Sequence, residues 1–168
     1  MPYDINEHKH RFAAWAAGRA AQRGWGGATI ARLQDALVRS AIKGWAETCP
    51  ETLSAEGFDK LHREWCRSIC QTLLDLQCTY GRASKLVSIY LKCWVILSGN
   101  GQSSAARTIH PPIDRILLDR MGIRLANHEI PNWTELTEEG YFGIIEEIRQ
   151  ILAGQPLWMA EEHWDIDA

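Results

Sequence analysis

Arg82, Lys85, Ser88 and Lys92 bring three cations and a hydroxyl to one stretch of chain, at spacings of three and four. Set Arg82 at 0° and advance about 100° per residue, and the four fall between about 240° and 360°. Leu86, Val87, Tyr90, Leu91, Trp94 and Leu97 occupy the arc from about 40° to 180°. The basic arc reads either as the solvated back of a buried helix or as the wall of a groove that meets anions such as a nucleic-acid backbone. Downstream, Arg107 and Arg115 bracket His110-Pro111-Pro112-Ile113-Asp114. Paired prolines suit the first turn of a helix, and an acid there opposes the helix dipole favourably. His62, Cys66 and Cys70 are spaced by four and could form a metal stripe with Cys78, but buried cysteine equally packs as a small hydrophobe. No second ligand pair of known spacing accompanies them, so no metal and no cofactor is assigned. His8-Lys9-His10 and Arg107-Thr108-Ile109-His110 are weaker constellations, and no local Cys-His or Ser-His-Asp motif occurs.

The elements that must position these residues are helical throughout. Apolar residues recur at three and four, and no alternating β-branched run is long enough for a strand. Asn6 is expected to cap a first helix with Phe12, Trp15, Ala16 and Ala20, ending at Gly24-Trp25-Gly26-Gly27. A second runs from about Ala28 through Trp45 and stops before Pro50; Ser54 caps a third with Phe58, Leu61, Trp65 and Ile69. The basic helix extends from near Thr79 to Ser98, the next from the Pro-Pro pair to Gly122. Thr137 caps a helix with Tyr141, Ile144, Ile145 and Ile148, and Pro156 opens a short last one. The expectation is a single all-α domain over 1–168, a compact orthogonal bundle of about seven helices, with 160–168 a frayed acidic tail. Trp15, Trp45, Trp65 and Trp94 read as core; Trp25, Trp133 and Trp158 lie near helix ends and suit base stacking or a partner surface.

The chain has 168 residues, 46% hydrophobic and 23% charged, which excludes a disordered chain and a membrane-embedded one. Five cysteines without a CxxC pair, and no signal-peptide pattern at the N-terminus, point to a reducing, cytoplasmic setting. The formal charge of −3 averages two unlike parts: residues 1–124 hold 17 of the 18 basic and 11 of the 21 acidic residues, while 125–168 hold one basic and 10 acidic. The basic excess sits around the Lys85 helix and the Pro-Pro-Ile-Asp turn, so net charge does not exclude an anionic partner.

Gly81-Arg82-Ala83-Ser84-Lys85-Leu86-Val87-Ser88-Ile89-Tyr90-Leu91, then Ile109-His110-Pro111-Pro112-Ile113-Asp114-Arg115-Ile116-Leu117-Leu118-Asp119-Arg120-Met121, resembles the active-site half of helical DNA glycosylases of the 8-oxoguanine-glycosylase-like fold. It also resembles a bacterial family that shares the HPPID element and a C-terminal Pro-Leu-Trp…Glu-x-x-Trp segment. The glycosylase resemblance covers about residues 79–124. The Leu-Pro-Gly-x-Gly hairpin of those enzymes is absent, and Ala83 stands where the endonuclease-III-like pattern has its lysine. The resemblance implies Lys85 as an amine nucleophile, with Lys92 as a rival, and Asp114 as the carboxylate that stabilises positive charge on the sugar. It further implies a nucleic-acid surface of Arg82, Ser88, Lys92, Arg107, His110 and Arg115, with DNA or RNA as partner. The contrasting expectation is a non-catalytic module that uses its acidic C-terminal surface and exposed tryptophans to hold a protein partner or a second copy.

Overall fold

A computed structural model describes residues 3–164. Among them are eight α-helices and one π-helical segment, nine against the seven or so expected, and no strand. The α-helices are α1 (Ile5–Ala21), α2 (Ile30–Arg39), α3 (Ile42–Thr48), α4 (Ala55–Thr72), α5 (Tyr80–Leu91), α6 (Ser104–Thr108), α7 (Arg115–Arg120) and α8 (Glu138–Leu152). Every one but α3 starts at a side-chain cap: Asp4, Thr29, Ser54, Thr79, Ser103, Asp114 and Thr137. The first cap is Asp4, whose Oδ1 accepts from Glu7 N–H at 2.9 Å, and not the expected Asn6.

Three departures from the expected helices have local causes. The second expected helix is two, because Ala41 adopts a left-handed conformation (φ 65°) beyond Ser40, whose hydroxyl donates to Leu37 O at 2.8 Å. The turn brings Ile42 and Ala46 into the core. After Leu91 the basic helix continues as a π-helical segment, Lys92–Asn100. Its wider turns rotate later residues out of α-helical projection, so Leu97 is 66% exposed while Trp94 and Val95 are buried. Finally, the Pro-Pro pair does not open a helix. Each proline pushes the residue before it out of the α region, and 109–113 runs extended and buried, with α7 starting only after Asp114.

One contiguous core runs from Ala13 to Ala160 and includes residues of every α-helix. At its centre lies α5, against which α1 packs most extensively. Residues Ala13, Ala14, Ala17 and Ala21 form the small-residue seam of α1, and Leu86, Val87, Tyr90 and Leu91 face the core from α5. A 3-10 turn, Trp133–Glu135, covers the start of α5, and another, Leu157–His163, packs against α6, α7 and α8 with Ala160 fully buried. The expected frayed tail is therefore ordered helix from 160 to 163; its remainder, 165–168, lies outside the described residues. No helix among the described residues is long and apolar enough to cross a membrane.

Candidate functional site

The centre of the basic arc, Lys85 and Ser88, is buried rather than solvated, and its ends, Arg82 and Lys92, are half-buried. Lys85 is only 7% exposed, on a helix packed against both α1 and the Trp133–Glu135 turn. The extended run before α7 leaves the Pro112 and Ile113 carbonyls unused by helix, and they turn to the lysine. Lys85 Nζ donates to Ile113 O at 3.1 Å, to Pro112 O at 3.5 Å and to Asp114 Oδ2 at 3.1 Å, and lies 5.4 Å from the Trp133 ring centroid. Asp114 serves two elements at once: Oδ2 takes the lysine, and Oδ1 caps α7 by accepting from Leu117 N–H at 3.0 Å. The expected acid of a first helical turn is thus the residue that starts the helix. Burial pushes the Lys85 ammonium below the usual lysine range, and the facing Asp114 carboxylate opposes that shift.

This pair forms one wall of a cavity of about 450 Å3, within the range of ligand sites. Ile89, Ile116 and Leu117 give it an apolar side, Trp133 and Trp164 an aromatic one, and Arg23, Lys92 and Arg115 stand around it with Glu161. The indole N–H of Trp164 is buried without an acceptor among the described residues. Lys92 pairs with Glu161, and the two side chains also border an adjoining cavity beside Leu97, Trp158 and Met159.

Of the sequence-predicted residues, Lys85, Asp114, Lys92 and Arg115 converge on this cavity. The other four do not. Arg82 lies over the Trp25 ring and donates to Ala21 O and Gly24 O, closing the C-terminal end of α1. Arg107 does the same for Gly154 O after α8. Ser88 and His110 are in the core, at 2% and 1% exposure, and present nothing to a nucleic-acid strand. Among the tryptophans, Trp25 and Trp158 donate to Leu76 O and Gly101 O, while Trp15, expected in the core, is half exposed. Arg23 is the cavity residue that periodicity does not select, because it stands in the glycine-rich turn beyond α1.

His110 belongs to a buried polar chain whose hydrogen bonds can all be assigned one direction. Arg149 donates to both oxygens of Asp59, at 2.6 and 3.1 Å. Asp59 Oδ1 accepts from His110 Nε2–H at 3.0 Å, and His110 Nδ1 accepts from Tyr141 O–H at 3.2 Å. Tyr141 in turn accepts from His62 Nε2–H at 3.3 Å, and His62 Nδ1 accepts from Tyr80 O–H at 3.0 Å. This arrangement leaves both imidazoles neutral, and burial lowers both their pKa values. Cys66 lies 3.7 Å from the His62 ring, and Cys70 and Cys78 face each other at 3.9 Å. Among the described residues no three His, Cys, Asp or Glu side chains are grouped to hold a metal.

A pH dependence follows. In the unfolded chain these imidazoles protonate as pH falls through about 6.5, whereas in the folded chain they stay neutral to lower pH. Below that pH the unfolded state binds more protons, so stability is lost on acidification, by up to about 1.4 kcal/mol per pH unit for each imidazole. Urea unfolding is expected to give a lower midpoint at pH 5.5 than at pH 7.5. Equal midpoints would contradict neutral, buried histidines.

Fold and site together define an all-α bundle with a buried lysine and a helix-capping carboxylate side by side in a cavity wall. Comparison with protein-family models, with curated proteins and with solved structures returns no match for this chain.

Proposed function

We propose that the chain binds DNA or RNA and receives a single extruded nucleotide in the Lys85–Asp114 cavity, with base-excision chemistry of the helical glycosylase type. The observation that carries this reading is the 3.1 Å juxtaposition of amine and carboxylate in the wall of an aromatic and apolar cavity. A nucleophile at a sugar carbon and an anion beside it are what cleavage of a glycosidic bond requires. Deprotonated Lys85 Nζ forms the bond to C1′ as the C1′–N bond to the base breaks. The base leaves with the bonding pair and takes a proton from solvent, and the Asp114 carboxylate offsets the positive charge that develops on the sugar. Burial favours loss of the lysine proton, and Trp133 offers a face for the extruded base. Arg115, free of any salt bridge among the described residues, stands at the cavity for a phosphate.

The test is borohydride trapping on DNA that carries an abasic site. Lys85 Nζ condenses with the ring-opened sugar aldehyde, releasing water, and borohydride reduces the imine to a stable amine. Wild type is expected to give an adduct, Lys85→Ala none, and Lys92→Ala an adduct comparable to wild type. Absence of an adduct with wild type, or one undiminished in a folded Lys85→Ala, would remove the lysine-dependent reading. Circular dichroism establishes that the variant is folded.

A further inference from the structure

We propose that the outer face of α1 is a track for the single strand flanking the nucleotide held at Lys85, an inference that rests on the cavity reading above. At 100° per residue, Phe12, Trp15 and Arg19 fall within about 60° of one another on α1. Phe12 and Trp15 are 55% and 50% exposed, and their rings lie 6.1 Å apart at 38°, a two-ring platform held out of the core. α1 buries its alanines and leaves Ile5, Phe12 and Trp15 in water on one face, and stacking of unpaired bases gives the two aromatics a use. One turn on stands Arg19, and just past the helix end Arg23. Both are exposed and neither has a salt bridge or side-chain hydrogen bond among the described residues. In contrast, Arg11, Arg32, Arg39 and Arg67 each hold a carboxylate.

Continuity fixes the direction of the track. Arg23, just beyond the C-terminal end of the stripe, lines the Lys85 cavity, so the aromatic and basic face of α1 leads from Phe12 toward it. From Trp15 to Ala20 the helix rises about 7.5 Å. A strand following this path stacks on Phe12 and Trp15, lays phosphates against Arg19 and Arg23, and delivers the next nucleotide to Lys85. Two adjacent aromatics followed by two unpaired arginines offer stacking faces for bases and cations for phosphates on one path. A lipid surface would instead meet a broad apolar face.

Fluorescence anisotropy with labelled single-stranded DNA carrying one abasic site, measured over a salt series on the full chain, tests the track. Phe12→Ala/Trp15→Ala is expected to weaken binding at least tenfold, and Trp15→Phe to retain most of the affinity. Arg19→Gln/Arg23→Gln is expected to lower the slope of log affinity against log salt by about 1.4, the contribution of two single-strand phosphates. These exposed substitutions should leave thermal unfolding at the wild-type temperature. If wild type binds DNA and is trapped through Lys85 while the α1 variants match its affinity and salt slope, the track is wrong and the cavity reading survives. Failure of wild type to bind any oligonucleotide would overturn both. Binding of wild type to phosphatidylserine vesicles, with none to DNA, would also overturn the track and assign the stripe to a membrane surface.

Discussion

Asp59→Ala is expected to lower stability by about 3–5 kcal/mol, the range for removing one partner of a buried charged pair. For a chain of this size that is a fall of roughly 6–20 °C in Tm. Asp59 is 8% exposed and is the sole carboxylate in the Arg149–His110–Tyr141–His62–Tyr80 chain. Its hydrogen bonds to His110 and Arg149 hold the carboxyl well below the usual carboxylate range against the opposing effect of burial. With alanine there, Arg149 keeps only the longer 3.7 Å contact to the exposed Glu146, and His110 keeps a fully buried N–H without its acceptor. Asp59→Asn retains an acceptor and should cost less. In Asp59→Ala/Arg149→Ala the orphaned cation is gone, so the loss should be smaller than the sum of the single losses. Urea or thermal denaturation of these three variants and of Arg149→Ala alone checks this, and a loss under about 1 kcal/mol for Asp59→Ala would mean the chain of hydrogen bonds does not hold the core.

None of this polar chain is visible in the sequence as a constellation. Asp59, His62 and Cys66 share a face of α4, but His110 arrives from the extended 109–113 segment and Tyr141 and Arg149 from α8, and no spacing rule links them to α4. What the sequence does disclose is local. Ser54 and Thr137 are read correctly as caps, and the start of α5 near Thr79 is placed correctly, because a helix start is determined by a few neighbouring residues. The all-α class is legible for the same reason, as three-and-four periodicity persists in each segment. Lys85 and Asp114 are legible only as a pair of interest, and the geometry that joins them depends on Pro111 and Pro112 running extended, which delays α7 until Asp114. A projection drawn on an ideal α-helix also misplaces the π-helical residues, as Leu97 demonstrates. It cannot distinguish a solvated basic face from one roofed by a distant turn. Arg82, Ser88, Lys85 and Lys92 share an arc in projection yet meet a helix C-terminus, the core, a carboxylate on α7 and the acidic Glu161 respectively.

That roof yields the second large effect. Gly81 opens α5 directly beneath the Trp133–Glu135 turn, and its N–H donates to Leu136 O at 3.1 Å. A Cβ built on Gly81 would lie 1.9 Å from Trp133 O, a backbone atom with no freedom to swing aside. Gly81→Ala must therefore push the turn off α5, straining the Gly81–Leu136 bond and the 2.6 Å bond from Thr79 Oγ1 to Thr134 O. The expected loss is at least the ~3 kcal/mol at the upper end of ordinary overpacking. Because Trp133 faces both Lys85 and the cavity, the same substitution should also reduce borohydride trapping in whatever fraction stays folded, although residue 81 touches neither Lys85 Nζ nor Asp114. Gly143→Ala is the matched control. On α8 an added Cβ at Gly143 meets nothing within 4 Å, and alanine there is expected to stabilise the protein by about 0.5–1 kcal/mol through helix propensity. Opposite signs for one chemical change at two helical glycines would show that close approach of backbone to backbone, and not helix propensity, fixes glycine at 81. Equal, small effects would mean that the turn yields freely and does not set the geometry of the lysine cavity.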